Sequence, residues 1–316
     1  MQNQSHQETQ NRPEYIGVDV CKPSLELDLP APDNHIPNTP EAIGALLARL
    51  PEHAHLVCEA TGGYETTLVN AALALGVPIS VLPAQRVRHL ALSQGKLAKT
   101  DLIDATVLSD YGRKHQPEPL KAPEPERARL RELLRARAQL LELKQLEASW
   151  AEHPAAEARL QKQAQARGKL LDKQLAELEA QIRDLVKKSE AAPELARLQQ
   201  VQGVGEVSAW TVWAEMPELG RLERGKAAGL AGLAPHPRDS GRQKGKRFIQ
   251  QGRPQVRRVL YMAAITAARC NPVLSPFYTR LRARGKPAKV AIIAVARRLI
   301  ELLNLLLKKP NFLLAG

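Results

Sequence analysis

The chain has 316 residues, of which 44% are hydrophobic, enough for two domains with ordinary cores, and this excludes a small disulfide-stapled scaffold. Lysine and arginine total 46 against 33 aspartates and glutamates, and the formal net charge of +13 favours a polyanionic partner. The charge is uneven, because residues 1–120 hold 9 basic and 14 acidic side chains and residues 121–316 hold 37 and 19. We therefore expect the basic surface in the second part of the chain.

The three cysteines Cys21, Cys58 and Cys270 are an odd number and lack CxxC spacing. This pattern predicts neither a disulfide framework nor a cysteine zinc site, and it favours a reducing, cytoplasmic compartment. The polar first residues lack a signal-peptide core, and no apolar run approaches the length of a membrane span, so no membrane contact is expected. With only 3% aromatic residues, extensive base stacking is not expected to dominate recognition.

The first part of the chain alternates between strand and helix patterns. Segments rich in β-branched and aliphatic residues predict strands, and apolar residues at helical spacing predict two helices between them. Thr39 is the expected N-cap of the first helix with Pro40 at its first position, and Gly76 is expected to end the second helix. Because the chain becomes proline-rich after Lys114, we predict an α/β domain over residues 14–118.

The middle of the chain, residues 119–191, is charged and rich in leucine and alanine. It contains apolar residues at alternating spacings of four and three, namely Leu171, Leu175, Leu178, Ile182 and Leu185. This heptad rhythm fits an antiparallel hairpin within one chain, and it fits an intermolecular coiled coil equally well. We expect a helical coiled-coil region here, followed by a mainly α-helical domain over residues 192–316.

Four carboxylates in the first domain have the pattern of a site for hard cations. Asp19 lies in a strand, Glu59 ends another strand, and Asp101 and Asp104 have the i, i+3 spacing that places both on one helix face. Mg²⁺ takes oxygen ligands, and two such ions can stabilise both oxygens of a phosphodiester displacement. The alternative is that these acids are merely solvated or cap the ends of their elements.

The last domain contains two features expected to contact phosphates. Gly203 and Gly205 separate two helical stretches, which fits either a helix-hairpin-helix whose backbone N–H groups bind a phosphate or a plain turn. Residues 221–258 hold 11 basic and two acidic side chains, which is typical of a nucleic-acid surface. Trp210 and Trp213, three residues apart on the second helix, are expected to fill the core.

Four motifs in order along the chain carry a resemblance to a known family. IGVDVCK, CEATGGYE, VRHLALSQGKLAKTDLIDA and GLAPHPRDSG together resemble the DEDD transposases of insertion sequences, whose first domain is similar to RuvC-type Holliday-junction nucleases. The resemblance implies an RNase H-like (RuvC-like) fold for the first domain. It also implies that Asp19, Glu59, Asp101 and Asp104 are catalytic and bind two Mg²⁺ ions, with Mn²⁺ as a substitute.

Ser240 owes its assignment to the resemblance alone. From the sequence, a serine before glycine indicates a turn. In the family the matching serine attacks DNA and becomes covalently joined to it, which makes Ser240 the expected nucleophile. Its general base is not identified, since the nearby His236 and Asp239 are neighbours only in sequence.

The basic residues around these motifs are expected to bind nucleic-acid phosphates. They are Arg86, Arg88, Lys96, Lys99, Arg238, Arg242, Lys244, Lys246, Arg247, Arg253, Arg257 and Arg258.

The resemblance implies a transposase or recombinase that acts on element ends and target DNA, guided by a structured non-coding RNA. Recombination acts on several strands while one chain offers one set of carboxylates and one Ser240, so we expect a homo-oligomer, a dimer or tetramer, in the bacterial cytoplasm and associated with the nucleoid. Two alternatives stay open from the residues themselves. A metal-dependent junction nuclease would cut without a serine adduct, and an architectural nucleic-acid-binding protein would not cut at all.

Overall fold

A computed structural model describes residues 13–93, 101–122, 124–154, 157–236, 247–309 and 311–312. The chain divides into two compact units, Met1–Ala122 and Pro123–Gly316. Within those ranges, no helix combines the length and the apolar character needed to cross a membrane.

The first unit is a mixed sheet with helices. Its sheet has the strand order β3-β2-β1-β4-β5, in which β1, β2 and β3 pair antiparallel while β4 runs parallel to both β1 and β5. This arrangement agrees with the RNase H-like α/β domain that the sequence predicts. In chain order the elements are β1 (Glu14–Val20), β2 (Ser24–Leu27), β3 (His35–Pro37), α1 (Pro40–Leu47), β4 (Ala54–Glu59), α2 (Thr66–Ala74), β5 (Ile79–Leu82), α3 (Ala84–Ser93) and α4 (Asp101–His115).

Local sequence signals set the ends of the first two helices. The extended backbone of Thr39 lets its hydroxyl accept a hydrogen bond from the Ala42 N–H at 3.4 Å, and Pro40 is the first residue of α1. Gly76 follows α2 with a φ of +72°, which is the left-handed conformation common after helix ends. The predicted cap and the predicted helix-ending glycine are therefore confirmed.

Helix α4 packs directly on the central strand β1. The Gly17 N–H donates a hydrogen bond to the Ser109 hydroxyl at 2.7 Å. A Cβ atom at Gly17 would lie 1.9 Å from the carbonyl oxygen of Ala105, a distance that atoms do not tolerate. Only glycine therefore allows the helix to approach the strand this closely.

The second unit is mainly helical and has one short β-ribbon. The ribbon pairs Pro235 with Ile249 and His236 with Phe248. The elements are α5 (Pro125–Ala151), α6 (Ala158–Lys188), α7 (Ala192–Gln199), α8 (Glu206–Glu215), α9 (Lys226–Leu230), β6 (Pro235–His236), β7 (Phe248–Ile249), α10 (Pro254–Cys270), α11 (Leu274–Ala283) and α12 (Ala288–Lys308).

Helices α5 and α6 form an antiparallel hairpin within the chain. Three ion pairs join the two helices, Arg137 with Glu179, Lys144 with Asp172 and Glu147 with Arg167. The residue numbers rise along α5 while those of the partners fall along α6, as they must between antiparallel helices. Of the heptad residues on α6, Ile182 is fully buried in the core of the unit, and Leu178 and Leu185 pack against that core. This half of the heptad seam is used inside one chain.

The core of the second unit forms around helix α8. Trp210 and Trp213 are 2% and 4% exposed, so the prediction that both fill the core is confirmed. The Trp213 indole donates a hydrogen bond to Glu194 at 2.8 Å, and the Arg127 guanidinium lies 3.7 Å from the centre of its ring. Arg127 and Arg131 also donate to the carbonyl oxygens of Trp213 and Ala214 at the end of α8, where a cation is favoured by the helix dipole.

Candidate active site

Asp19 and Glu59 lie at the same edge of the first unit's sheet. Strands β1 and β4 are parallel, and their register places Val18 opposite Cys58. Asp19 and Glu59 are the next residue on each strand, and both are partly exposed. Because the carboxyl ends of parallel strands meet at one edge, the two carboxylates lie at the same edge of the sheet, where sheets of this kind commonly bind ligands.

A hydrogen-bonded turn follows Glu59. The Glu65 carboxylate accepts hydrogen bonds from the Thr61 N–H at 3.2 Å, the Thr61 hydroxyl at 2.8 Å and the Gly63 N–H at 2.9 Å. Partial burial alone would raise the pKa of the Glu65 carboxyl, but these hydrogen bonds outweigh it and the pKa is lowered. Glu65 therefore stays ionised and fixes the loop beside Glu59, a role that the sequence does not reveal.

Cys58 lies immediately before Glu59 and is fully buried. Burial raises the pKa of its thiol to about 12, and the charges of Glu65 and Glu59 act in the same direction. The thiol is therefore protonated and unreactive at neutral pH. Cys58 is part of the hydrophobic core of the first unit.

Helix α4 brings Asp104 to the same strand. Asp104 directly precedes Ala105, the residue whose carbonyl contacts Gly17, and Gly17 lies two residues before Asp19 on β1. Thr106 anchors the helix further, because its hydroxyl donates a hydrogen bond to Asp28 at 3.3 Å. Asp101 is the first residue of α4, and its side chain is not among those that the structure describes.

The donor set is of the type that binds divalent metal ions. Carboxylate oxygens from Asp19, Glu59 and Asp104 are hard ligands, which suit Mg²⁺ and Mn²⁺ rather than softer ions. The side chains that the structure describes contain no group of three or more acidic, histidine or cysteine residues close enough to hold a metal. The fit of these residues to a metal ion therefore depends on donor chemistry and strand register.

Four basic residues near this site are expected to contact phosphates, and the structure describes two of them. Arg86 and Arg88 are exposed on α3, the helix that follows β5 at the same edge of the sheet. Lys96 and Lys99 fall in the segment 94–100, beyond the described part of the chain.

Ser240 and its basic neighbours also lie outside the described ranges, in the segment 237–246. The structure instead describes where this segment begins and ends. His236 ends β6, and the exposed Arg247 directly precedes β7, which pairs with β6. The same segment contains Arg238, Asp239, Arg242, Lys244 and Lys246.

Three arginines after the ribbon have contacts within the second unit. Arg253 forms two hydrogen bonds to the Glu218 carboxylate at 2.6 and 3.1 Å. Partial burial would raise the pKa of the Glu218 carboxyl, but the Arg253 hydrogen bonds help to lower it overall. Arg257 donates to the Gln251 carbonyl, and Arg258 pairs with Glu142 at 3.1 Å while both stay largely exposed. Arg253 is therefore engaged in the fold, and Arg258 has only a weak surface ion pair.

The glycine turn between α7 and α8 is packed against α10. Gly203 has a φ of +103°, and a Cβ atom there would lie 2.7 Å from the backbone nitrogen of Ala267. This close contact is sufficient to explain a glycine at position 203. Gly205 is exposed, has no neighbouring atom within 4 Å of a Cβ position, and is the N-cap of α8. Phosphate binding by the two glycines stays a prediction.

Comparison with known proteins assigns both parts of the chain to transposases. A model described as Transposase IS116/IS110/IS902 family matches residues 195–279. A second model, for the DEDD transposase of IS110, matches residues 30–147. Glu59, Asp101 and Asp104 fall in the second match and Ser240 in the first, whereas Asp19 precedes both.

Individual relatives agree with these models. The "Pilin gene-inverting protein" of Moraxella bovis is 26% identical over 309 residues, which are 91% of this chain and 94% of that protein. The "Insertion element IS900 uncharacterized 42 kDa protein" of Mycobacterium paratuberculosis is 40% identical over 86 residues, 26% of this chain and 21% of that protein. An insertion element IS110 protein of Streptomyces coelicolor is 31% identical over 137 residues, 43% of this chain and 33% of that protein.

Both units of the chain therefore match insertion-sequence transposases. The chain belongs to the IS116/IS110/IS902 family of transposases.

Proposed function

We propose that the chain cleaves and rejoins DNA strands at the ends of an insertion sequence and at its target. The observation that supports this most directly is the pairing of β1 with β4, which places Asp19 and Glu59 at one edge of the sheet. Helix α4 brings Asp104 to the same strand through the Gly17 contact. This carboxylate edge is the part of the molecule best suited to hold a scissile phosphate near divalent cations.

The chain's own residues provide the ligands and their support. Asp19, Glu59, Asp101 and Asp104 would hold Mg²⁺, which when bound neutralises charge at the phosphate. Glu65 keeps the loop after Glu59 in place through its three hydrogen bonds. Arg86 and Arg88, exposed on α3, add positive charge for neighbouring phosphates.

We assign Ser240 the role of nucleophile. Its hydroxyl oxygen attacks phosphorus, so that an Oγ–P bond forms while the bond from phosphorus to the leaving deoxyribose oxygen breaks. The serine proton passes to a base or to solvent, and the leaving oxygen takes up a proton. A strand-end hydroxyl then attacks the phosphoserine ester in the reverse sense, which rejoins DNA without an external energy source.

The basic segment is proposed to hold nucleic acid through phosphates. Arg238, Arg242 and Lys244 flank the serine in sequence and would stabilise the extra negative charge of the pentacoordinate phosphorus. Lys246 and Arg247 continue the same run of charge. A structured RNA that pairs with donor and target DNA would supply sequence specificity, since phosphate contacts carry none themselves.

Assembly into a dimer or tetramer follows from the number of strands that recombination must cut. One chain contains one set of carboxylates and one Ser240. The hairpin leaves Leu146 63% and Trp150 59% exposed, with Leu143 and Leu170 also exposed. A second copy of the chain would cover these side chains, since apolar patches on a soluble protein commonly mark interfaces. Replacing Leu146 and Trp150 with glutamate should lower the mass measured by light scattering.

The test of the proposed function uses DNA from the ends of an insertion sequence, its flanking transcript and Mg²⁺. We expect strand cleavage that stops in excess chelator, accompanied by DNA linked to protein. Nicks with free DNA ends would indicate a junction nuclease instead. Binding without any cleavage, under conditions where the protein is folded, would indicate an architectural protein and would overturn the proposal.

A further inference from the structure

A second basic surface lies at the end of the chain, away from Ser240 in sequence. Between residues 272 and 300 there are seven lysines and arginines and no aspartate or glutamate. These residues form α11, the turn that follows it and most of α12. We name the exposed side chains Arg280, Arg284, Lys286, Lys289, Arg297 and Arg298 the α11–α12 basic face. All six residues lie beyond residue 279, where the second-unit family match ends.

Two arginines of this face converge on one ring. The Arg298 guanidinium carbon lies 3.8 Å from the centre of the Phe277 ring, and that of Arg280 lies 5.7 Å from the same centre. The ring therefore holds two like charges close together, through cation–π contacts. Arg284 directly follows the last residue of α11 and adds a further exposed cation four residues after Arg280.

The structure gives these cations no acidic partner among the described residues, and α12 shows why. Its only acid, Glu301, accepts hydrogen bonds from the Gly225 N–H at 3.1 Å and the Ala228 N–H at 3.2 Å. Glu301 is thereby committed to the start of α9. The basic face thus keeps its full positive charge.

The α5–α6 hairpin provides a contrast within the same unit. There Arg137, Lys144 and Arg167 each pair with an acid on the opposite helix. A solvated charged surface usually mixes both signs in this way. An acid-free face of close like charges is instead the footprint of a polyanion, because neighbouring cations repel one another until a polyanion binds.

We propose that the α11–α12 basic face binds the phosphate backbone of double-stranded DNA as a contact separate from the Ser240 segment. Phe277 is half-buried under Arg298, so the face offers no open aromatic surface on which unpaired bases could stack. Side chains on two packed helices can contact the phosphate backbone of a DNA duplex. Such contacts fix the position of the duplex without reading its sequence. The choice of DNA rests on the proposed function.

The test compares three variants in duplex-DNA binding over a series of salt concentrations. The first changes Arg280, Arg284 and Arg298 to glutamine. Its matched control changes Arg159, Lys162 and Lys169, exposed cations of α6, to glutamine. A third variant changes the same three arginines to lysine, which keeps the charge and reports whether charge or ring stacking is responsible.

We expect the slope of log K against log[salt] to become shallower by about 2 to 3 in the first variant, since each phosphate contact contributes about 0.9. The control and the lysine variant should keep the original slope. An unchanged slope in the first variant would overturn the proposal, and so would a loss confined to a structured RNA probe. If the unmodified protein failed to bind duplex DNA at all, the proposed function itself would fall.

Discussion

Gly17 of β1 and Ala105 of α4 are in direct backbone contact, so close that a Cβ atom on Gly17 would lie 1.9 Å from the Ala105 carbonyl oxygen. The contact joins the strand that carries Asp19 to the helix that carries Asp104. The geometry of the carboxylate edge therefore depends on the absence of a side chain at one position.

Gly17→Ala should separate α4 from β1 and destabilise the first unit. The expected loss is about 1 to 3 kcal/mol of the free energy of unfolding, the usual cost of overpacking a core. All three tryptophans lie in the second unit, so hydrogen exchange of the β1 amides is the suitable measurement. Gly44→Ala in α1 is the control, because a Cβ there meets no atom within 4 Å. It should be neutral or stabilise by up to about 1 kcal/mol. Equal protection in both variants would contradict the close contact.

Removing the charge of a single carboxylate should stop cleavage while the fold is kept. We expect Asp19→Asn, Glu59→Gln and Asp101→Asn each to lower the rate of strand cleavage by more than about 100-fold, since each removes a proposed metal ligand. Glu41→Gln, an exposed acid in the first turn of α1, is the matched control and should keep the rate. Undiminished cleavage by Asp19→Asn would remove that residue from the site.

The buried His55 makes the stability of the first unit sensitive to acid. Its Nε2 lies 2.8 Å from the Ser80 hydroxyl, and burial lowers the pKa of the imidazole from its ordinary 6.5. The unfolded chain therefore binds a proton below about pH 6.5 while folded His55 stays neutral. The free energy of unfolding should be independent of this group above pH 6.5 and should fall as the pH decreases below it.

Hydrogen exchange of β4 between pH 5.5 and 7.5, corrected for intrinsic exchange rates, measures this dependence. His55→Phe should flatten it, because phenylalanine keeps a ring beside Tyr15 but does not titrate. If His55→Phe kept the same pH dependence, the titrating group would be another residue.

The Ser240 segment should contribute its own share of the salt dependence of binding. Changing Lys244, Lys246 and Arg247 together to glutamine should make the slope of log K against log[salt] shallower by about 2 to 3 units for DNA or RNA. Changing Arg253 alone should instead reduce stability, because it would leave Glu218 without its two hydrogen bonds. An unchanged slope in the triple variant would move the contact surface elsewhere.

Local signals in the sequence predicted much of the fold. The alternating strands, the Thr39 cap and the tryptophan core follow from short-range patterns, and the structure has all of them. The heptad rhythm predicted a packed helix but not its partner, because the spacing is the same for a neighbouring helix and for a second chain.

Other parts of the site depend on contacts between distant residues. Gly17 meets Ser109 across 92 positions, and nothing around either residue signals the contact. The hydrogen bonds of Glu65 to Thr61 and Gly63 are local in sequence. A glutamate at the start of a helix can also interact with the helix dipole, so the sequence alone does not predict these bonds. Glu59 and Asp19 could be placed together only through the register of β1 and β4.

The most direct test of the proposed function is the identity of the residue that becomes linked to DNA. Protein incubated with element-end DNA, the flanking transcript and Mg²⁺ would be trapped, digested and analysed by peptide mass spectrometry. We expect a nucleotide on Ser240, and no adduct or recombination in a Ser240→Ala variant that still binds DNA. A nucleotide on another residue, or recombination by Ser240→Ala, would contradict it.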